Sequence, residues 1–128
     1  MNDLISGVHH VSLKCSSPEE FSAAKEFYGS VLGLRLLREG SAGILFDTGA
    51  GMIEIFSNGT ERLPQGAIRH FAFLVPSADA CIEKVRAAGY AVTSEPRDVE
   101  MDSVPPYPLR VAFCIGPMGE EIEFFQER

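Results

Sequence analysis

One order of elements occurs twice along this chain, and that repetition limits the folds open to it more than any other feature. Val8 to Cys15 alternates apolar and polar residues and reads as a strand. Ser17-Pro18-Glu19-Glu20 then reads as a capping box, with proline at the first helical position. Phe21, Ala24, Tyr28, Val31 and Leu32 form an apolar helical stripe behind it, and Gly33 sits where a helix ends in a left-handed residue. Leu34–Leu37, Gly43–Asp47 and Met52–Phe56 follow as short apolar runs punctuated by glycine, the pattern of strands joined by turns. After a linker over Ser57–Gly66 the order recurs. Ile68–Val75 reads as a strand, and Ser77 caps a helix with the stripe Ala78, Cys81, Ile82, Val85 and Ala88, which Gly89 ends. Tyr90–Thr93, Leu109–Ile115 and Glu120–Phe125 read as three further strands. Each half is therefore β-α-β-β-β, and repeated units of this kind pack side by side around a shared core.

Composition removes several functional classes. The chain has 128 residues, 45% of them apolar, with nine Phe and no Trp, enough for an ordinary core. A formal net charge of −7 and the lack of any basic run argue against a nucleic-acid partner. The longest apolar stretches are strand-sized, too short for a transmembrane helix. Met1-Asn2-Asp3-Leu4 lacks the basic flank and apolar run of a signal peptide. Cys15, Cys81 and Cys114 are odd in number and widely spaced, which reads as reduced thiols in a cytoplasmic protein rather than a disulfide framework.

Strand alternation sorts the polar residues. In the first strand Val11, Leu13 and Cys15 share the apolar face, and His10, Ser12 and Lys14 the other. Glu54 faces away from Ile53 and Ile55, and His70 away from Phe71 and Phe73. Glu123 faces away from Ile122 and Phe124. Each half thus offers one histidine from its first strand and one glutamate from its last. His10, Glu54, His70 and Glu123 would stand on the faces the helices leave uncovered. Two imidazoles and two carboxylates suit a borderline divalent ion: Zn²⁺, Ni²⁺, Co²⁺ or Fe²⁺. A lone strand histidine is more often a satisfied core residue, and a solvated surface carboxylate is the lesser alternative for Glu54. The repeat is what favours ligation. Lys14 reads either as a contact for an anionic substrate or as a rim residue. Arg110, on the face of Ala112 and Cys114, reads as a substrate contact or a surface salt bridge. The Pro-rich stretch within Glu100–Leu109 reads as a lid or a plain crossover. Phe56 and Phe125 read as pocket lining or ordinary packing. His9 alternates to the opposite face and reads as structural or surface.

The segments His10-Val11-Ser12-Leu13, Phe27-Tyr28, Val31-Leu32-Gly33-Leu34, Met52-Ile53-Glu54-Ile55, His70-Phe71-Ala72-Phe73 and Gly119-Glu120-Glu121-Ile122-Glu123-Phe124 resemble the vicinal oxygen chelate superfamily. That superfamily includes glyoxalase I, methylmalonyl-CoA epimerase, extradiol dioxygenases, fosfomycin-resistance enzymes and bleomycin-binding proteins. The His, Glu, His, Glu set is most similar to bacterial glyoxalase I (lactoylglutathione lyase), and Asn58 matches a glutathione-contacting asparagine of that family. Two features depart from it: Lys14 stands where an arginine is usual, and the Glu100–Leu109 stretch replaces a shorter Gly-rich one.

The resemblance implies an α+β fold in which two βαβββ modules, about 6–58 and 66–127, form one domain over 1–128 with a cup-shaped mixed sheet. It implies a homodimer whose metal ligands come from one chain or from two. It also implies a divalent ion that acts as a Lewis acid and stabilises an enediolate, while Glu123 and Glu54 take and return a proton. The net reaction converts a thiol-aldehyde hemithioacetal, formed with a thiol such as glutathione, into a thioester. Two alternatives stand beside it: another isomerase, epimerase or lyase of the superfamily acting on a hydroxy-carbonyl substrate, and a metal-free protein that binds a small molecule such as a drug.

Overall fold

Two serines start the two helices. In the computed structural model, which describes residues 3–128, the Ser17 hydroxyl accepts the backbone N–H of Glu20 at 3.1 Å and opens α1 (Pro18–Glu26). The Glu20 carboxylate accepts the N–H of Ser16 at 2.8 Å, so the capping box closes one residue ahead of the cap itself. Ser77 opens α2 (Ala78–Ala87) in the same way, its hydroxyl accepting the N–H of Ala80 at 3.1 Å. The Ala78 N–H donates to the Gln126 side chain at 2.9 Å and ties that helix start to the last strand. Gly33 and Gly89 follow the helical segments at φ +74° and +89°, a backbone region where a side chain is strained. Met1 and Asn2, part of the amino-terminal stretch read for a leader, lie outside the described residues.

The chain divides between Leu63 and Pro64 into two units. Unit 1 holds β1 (His10–Lys14), β2 (Arg35–Glu39), β3 (Gly43–Asp47) and β4 (Met52–Phe56) in the order β1-β4-β3-β2. Unit 2 holds β5 (Phe71–Leu74), β6 (Val92–Met101), β7 (Tyr107–Ile115) and β8 (Glu121–Glu127) in the order β5-β8-β7-β6. In each, the first strand runs parallel to the last and the other pairs are antiparallel. The fold is thus α+β, two four-stranded mixed sheets each with its own helix. A parallel pair needs a long crossover, and the helix with two intervening strands supplies it. Within unit 1, Ala24, Phe27 and Tyr28 are buried with Cys15, Ile44, Phe46, Ile53 and Ile55. Within unit 2, Ala78, Ile82 and Val85 of α2 are buried with Ala112, Cys114, Ile122 and Phe124.

Three expectations change. The first helix does not keep one period: its last turn, Phe27–Val31, widens to π type, with the Leu32 N–H donating to the Phe27 carbonyl at 2.9 Å. The extra residue in that turn rotates the stripe, so Phe27 and Tyr28 are both fully buried while Val31 and Leu32 are only half-buried. The stretch Glu100–Leu109 is not a long loop. β6 and β7 pair out to Met101 opposite Tyr107, and only residues 102–106 connect them. Pro96 lies within β6 at a shift in strand register, where no ladder N–H is required. The opening strands of both units are shorter than the alternation suggested: β1 starts at His10, and β5 at Phe71, leaving His70 just ahead of it.

Among the described residues no helix is long and apolar enough to cross a membrane. Cys15 and Cys114 are buried and Cys81 is half-buried. Burial, reinforced by the nearby Glu120 and Cys81, pushes the Cys114 thiol up to about 12. Burial also raises Cys81, against a smaller opposing pull from Lys84. Burial pushes the Glu20 carboxyl up, but hydrogen bonds from Arg62, at 2.8 Å, and from Ser16 outweigh it and hold that carboxyl below its usual 4.5.

Ser17→Ala removes the α1 cap and should lower stability by about 1 kcal/mol, read as a lower denaturation midpoint at unchanged slope. Glu20 titrates lower in the native chain than in the unfolded one, so its contribution is present above pH 4.5 and is lost as pH falls through the lowered native value. Glu20→Gln should therefore flatten the acid limb of the stability–pH curve. Cys114 should resist thiol reagents at pH 8 in the native protein and react on unfolding. Fast native labelling, located by peptide mapping, would contradict its burial.

Candidate metal centre

β1 and β4 lie parallel with Ser12 directly opposite Glu54 and Lys14 opposite Phe56. Ile53 and Ile55 are buried in the core, so alternation sends Glu54 to the face away from α1, together with His10, Ser12 and Lys14. There the Nε2 of His10 stands 3.5 Å from the Glu54 carboxylate. The Nδ1 of His10 is 2.8 Å from the Nδ1 of His9, so the neighbour read as merely structural or surface touches the candidate ligand.

Unit 2 repeats the arrangement. β5 and β8 lie parallel with Ala72 directly opposite Glu123. His70 precedes Ala72 by two residues, as His10 precedes Ser12, and its Nε2 stands 3.2 Å from the Glu123 carboxylate. In both units the residue two after the histidine faces the glutamate across a parallel pair, and in both the histidine turns Nε2 toward that carboxylate. The His70 ring is set edge-on to Phe113, with centroids 5.3 Å apart. The Glu123 side chain is only 13% exposed, against 26% for Glu54.

The donor chemistry fits a divalent ion. With bonds of about 2.05 Å, neighbouring N and O ligands stand about 3.3 Å apart in a tetrahedral shell and about 2.9 Å apart in an octahedral one. The two His–Glu separations, 3.5 and 3.2 Å, are of that size. The structure brings the four residues together as two pairs, one in each unit. Among the described residues no group of three or more His, Cys, Asp or Glu side chains is set to hold an ion by itself.

The weaker candidates separate. Lys14 and Asn58 line one cleft of about 350 Å³ with Ser12, Leu13, Phe56 and Leu63, on unit 1. Gly59 fixes that edge, because a β-carbon there would come 2.0 Å from the Cys15 carbonyl oxygen. Arg110 is placed otherwise than a substrate contact near Glu123 requires. It pairs with Gln126 across β7 and β8, whereas Glu123 pairs with Phe113, so the two residues lie on opposite faces. Its guanidinium bonds Asp79 of α2 at 2.6 and 3.0 Å and Asp98 of β6 at 3.0 Å, which raises its already high pKa and lowers both aspartates. Phe125 packs its ring against Tyr107, whose hydroxyl donates to Glu127. Glu120 accepts the Met118 N–H at 2.7 Å and belongs to the turn before β8. Glu121 comes within 3.6 Å of the Nδ1 of His70, a neighbour that its position two residues before Glu123 had made visible as a shared face but not as a contact.

Comparison with known proteins agrees with this fold. A glyoxalase family protein from Enterococcus faecalis is similar at 22% identity over 94% of this chain and 97% of its own, with a TM-score of 0.70. A lactoylglutathione lyase from Agrobacterium tumefaciens is similar at 16% identity over 95% and 94%, with a TM-score of 0.67. A glyoxalase/bleomycin resistance protein/dioxygenase from Alicyclobacillus acidocaldarius is similar at 18% identity over 95% and 92%, with a TM-score of 0.68. At these identities the likeness shows a common fold. No curated protein sequence matches the chain. The sequence profile of one family, however, matches residues 7–124, almost the whole length. The chain belongs to the Glyoxalase/Bleomycin resistance protein/Dioxygenase superfamily.

Proposed function

We propose that this protein is a metal-dependent lyase of the glyoxalase I type, converting a thiol-aldehyde hemithioacetal into a thioester, with its two units acting as one domain. One observation carries the reading: the same His–Glu pair recurs at the same offset on the parallel strands of both units. Two neutral imidazoles and two carboxylates balance the charge of a divalent ion, with Ni²⁺, Zn²⁺, Co²⁺ and Fe²⁺ all compatible with the donors. Such an ion supplies Lewis-acid polarisation of a carbonyl oxygen, which lowers the cost of removing the adjacent carbon-bound proton.

The chain's own residues do the rest. His10 and His70 offer Nε2 and take no part in proton transfer. Glu123, the drier carboxylate, accepts the carbon-bound proton of the hemithioacetal, and Glu54, its counterpart in the repeat, returns a proton to the neighbouring carbon. The electron pair released from the C–H bond moves toward the adjacent carbonyl, so substrate and product have the same formula. Lys14 and Asn58, at the cleft beside Phe56, supply a cation and an amide for an acidic thiol such as glutathione. Arg110 is occupied by Asp79 and Asp98 and has no part in this scheme.

Purified protein should bind a divalent ion, and His10→Ala and His70→Ala should each abolish binding. Full occupancy in the double variant would sink the ligand assignment. With methylglyoxal and glutathione, the loaded protein should form the thioester. Glu123→Gln, which keeps a carbonyl oxygen but no proton acceptor, should retain much of the metal and lose on the order of a hundredfold to ten-thousandfold in rate. A loaded protein that turns over no hemithioacetal of any acidic thiol would overturn the lyase reading. Members of the superfamily are commonly dimeric, and we place this chain among them. Sizing should then give twice the 14.0 kDa chain mass, and a monomer with a full metal complement would contradict that assembly.

A further inference from the structure

A histidine that binds a metal through Nε2 carries its proton on Nδ1, and that N–H needs an acceptor wherever water is excluded. The two candidate ligands meet this need differently. Nδ1 of His10 rests 2.8 Å from Nδ1 of His9, whose lone pair is free to accept when His9 carries its proton on Nε2. Nδ1 of His70 is buried and has no hydrogen-bond partner. The nearest carboxylate is that of Glu121, at 3.6 Å, just beyond hydrogen-bond range. Glu121 belongs to the same strand face as Glu123, two residues before it, and its side chain is 29% exposed. Unit 1 has Met52 at the corresponding place, two residues before Glu54, so this carboxylate is not a product of the repeat.

We propose that Glu121 is a positioning residue: its carboxylate accepts the Nδ1–H of His70 and fixes the ring with Nε2 toward the ion that Glu123 shares. A small rotation of the Glu121 side chain closes the remaining gap. The residue touches neither ion nor substrate. The inference rests on the ligand set proposed above and adds a neighbour to it.

The test uses Co²⁺ as probe in the full chain, with affinity measured by competition against a chelator and geometry read from the visible absorption bands of the bound ion. Glu121→Leu should weaken Co²⁺ binding roughly ten- to hundredfold and alter those bands. Glu121→Gln, which keeps an acceptor oxygen without the charge, should restore most of the affinity and the native spectrum. Thermal denaturation of the metal-free variants separates loss of fold from loss of orientation. Native affinity and spectrum in Glu121→Leu would overturn the inference while leaving the ligand set intact. Equal weakening in both variants would also overturn it, since the effect would then be charge alone. Complete loss of the ion in both would overturn it as well, since a carboxylate that only orients the ring does not abolish binding. A native protein that binds no Co²⁺ would overturn the ligand set and this inference together.

Discussion

Parallel pairing of the first and last strand of each unit is the constraint on which the rest depends. Two neighbouring parallel strands hold a fixed offset, and their side chains alternate in phase. Once Ile53 and Ile55 are committed to the core of unit 1, Glu54 has no choice of face, and Ser12 opposite it brings His10 to the same side. Ile122 and Phe124 commit Glu123 in unit 2 in the same way. Slipping either pair by one residue would exchange buried isoleucine and phenylalanine for glutamate. Core burial therefore holds the His–Glu geometry in register, with no dedicated bond between the two side chains required.

The helices secure that commitment from the other side. Ser17 and Ser77 satisfy the first-turn N–H groups, and the widened turn at Phe27–Val31 delivers two large aromatic rings to one core where a regular turn would deliver one. Arg110 has a related role in unit 2. Joined to Asp79 on α2 and Asp98 on β6, it ties helix to sheet on the face away from Glu123. Exposed ion pairs are individually weak, but one guanidinium shared by two carboxylates from separate elements also restrains their geometry.

The order of elements, both helix caps and the four candidate ligands were legible in the sequence because each follows from a local rule: alternation, capping chemistry or a terminal glycine. What was hidden depends on neighbours distant along the chain. Nothing local marks the π-type turn, since Phe27 is as apolar as the residues of the expected stripe. The length of β6, read as Tyr90–Thr93, depends on pairing with β7, which carries the strand on to Met101. The side of the sheet on which Arg110 falls was read correctly, but its meaning required knowing which residue of β8 lies opposite. Contact between Glu121 and His70 was likewise out of reach: alternation tells which residues share a face, not which of them touch across it.

Family membership fixes the scaffold and leaves the substrate to a few side chains. The helix-facing residues cannot change without cost to packing, whereas several on the other face are only partly buried. In unit 1 that freer set includes Lys14, Phe56 and Asn58, which meet at one cleft. Lys14 is a point charge on a flexible stem, unlike the planar fork of an arginine, so in the proposed scheme it would meet an anion with less demand on ligand geometry. Gly59 follows Asn58 directly, and a β-carbon there would come 2.0 Å from the Cys15 carbonyl oxygen, so a bulkier residue is excluded at that position. Under the proposed lyase scheme, substrate choice rests in the residues of that cleft, which can vary without disturbing the His–Glu pairs.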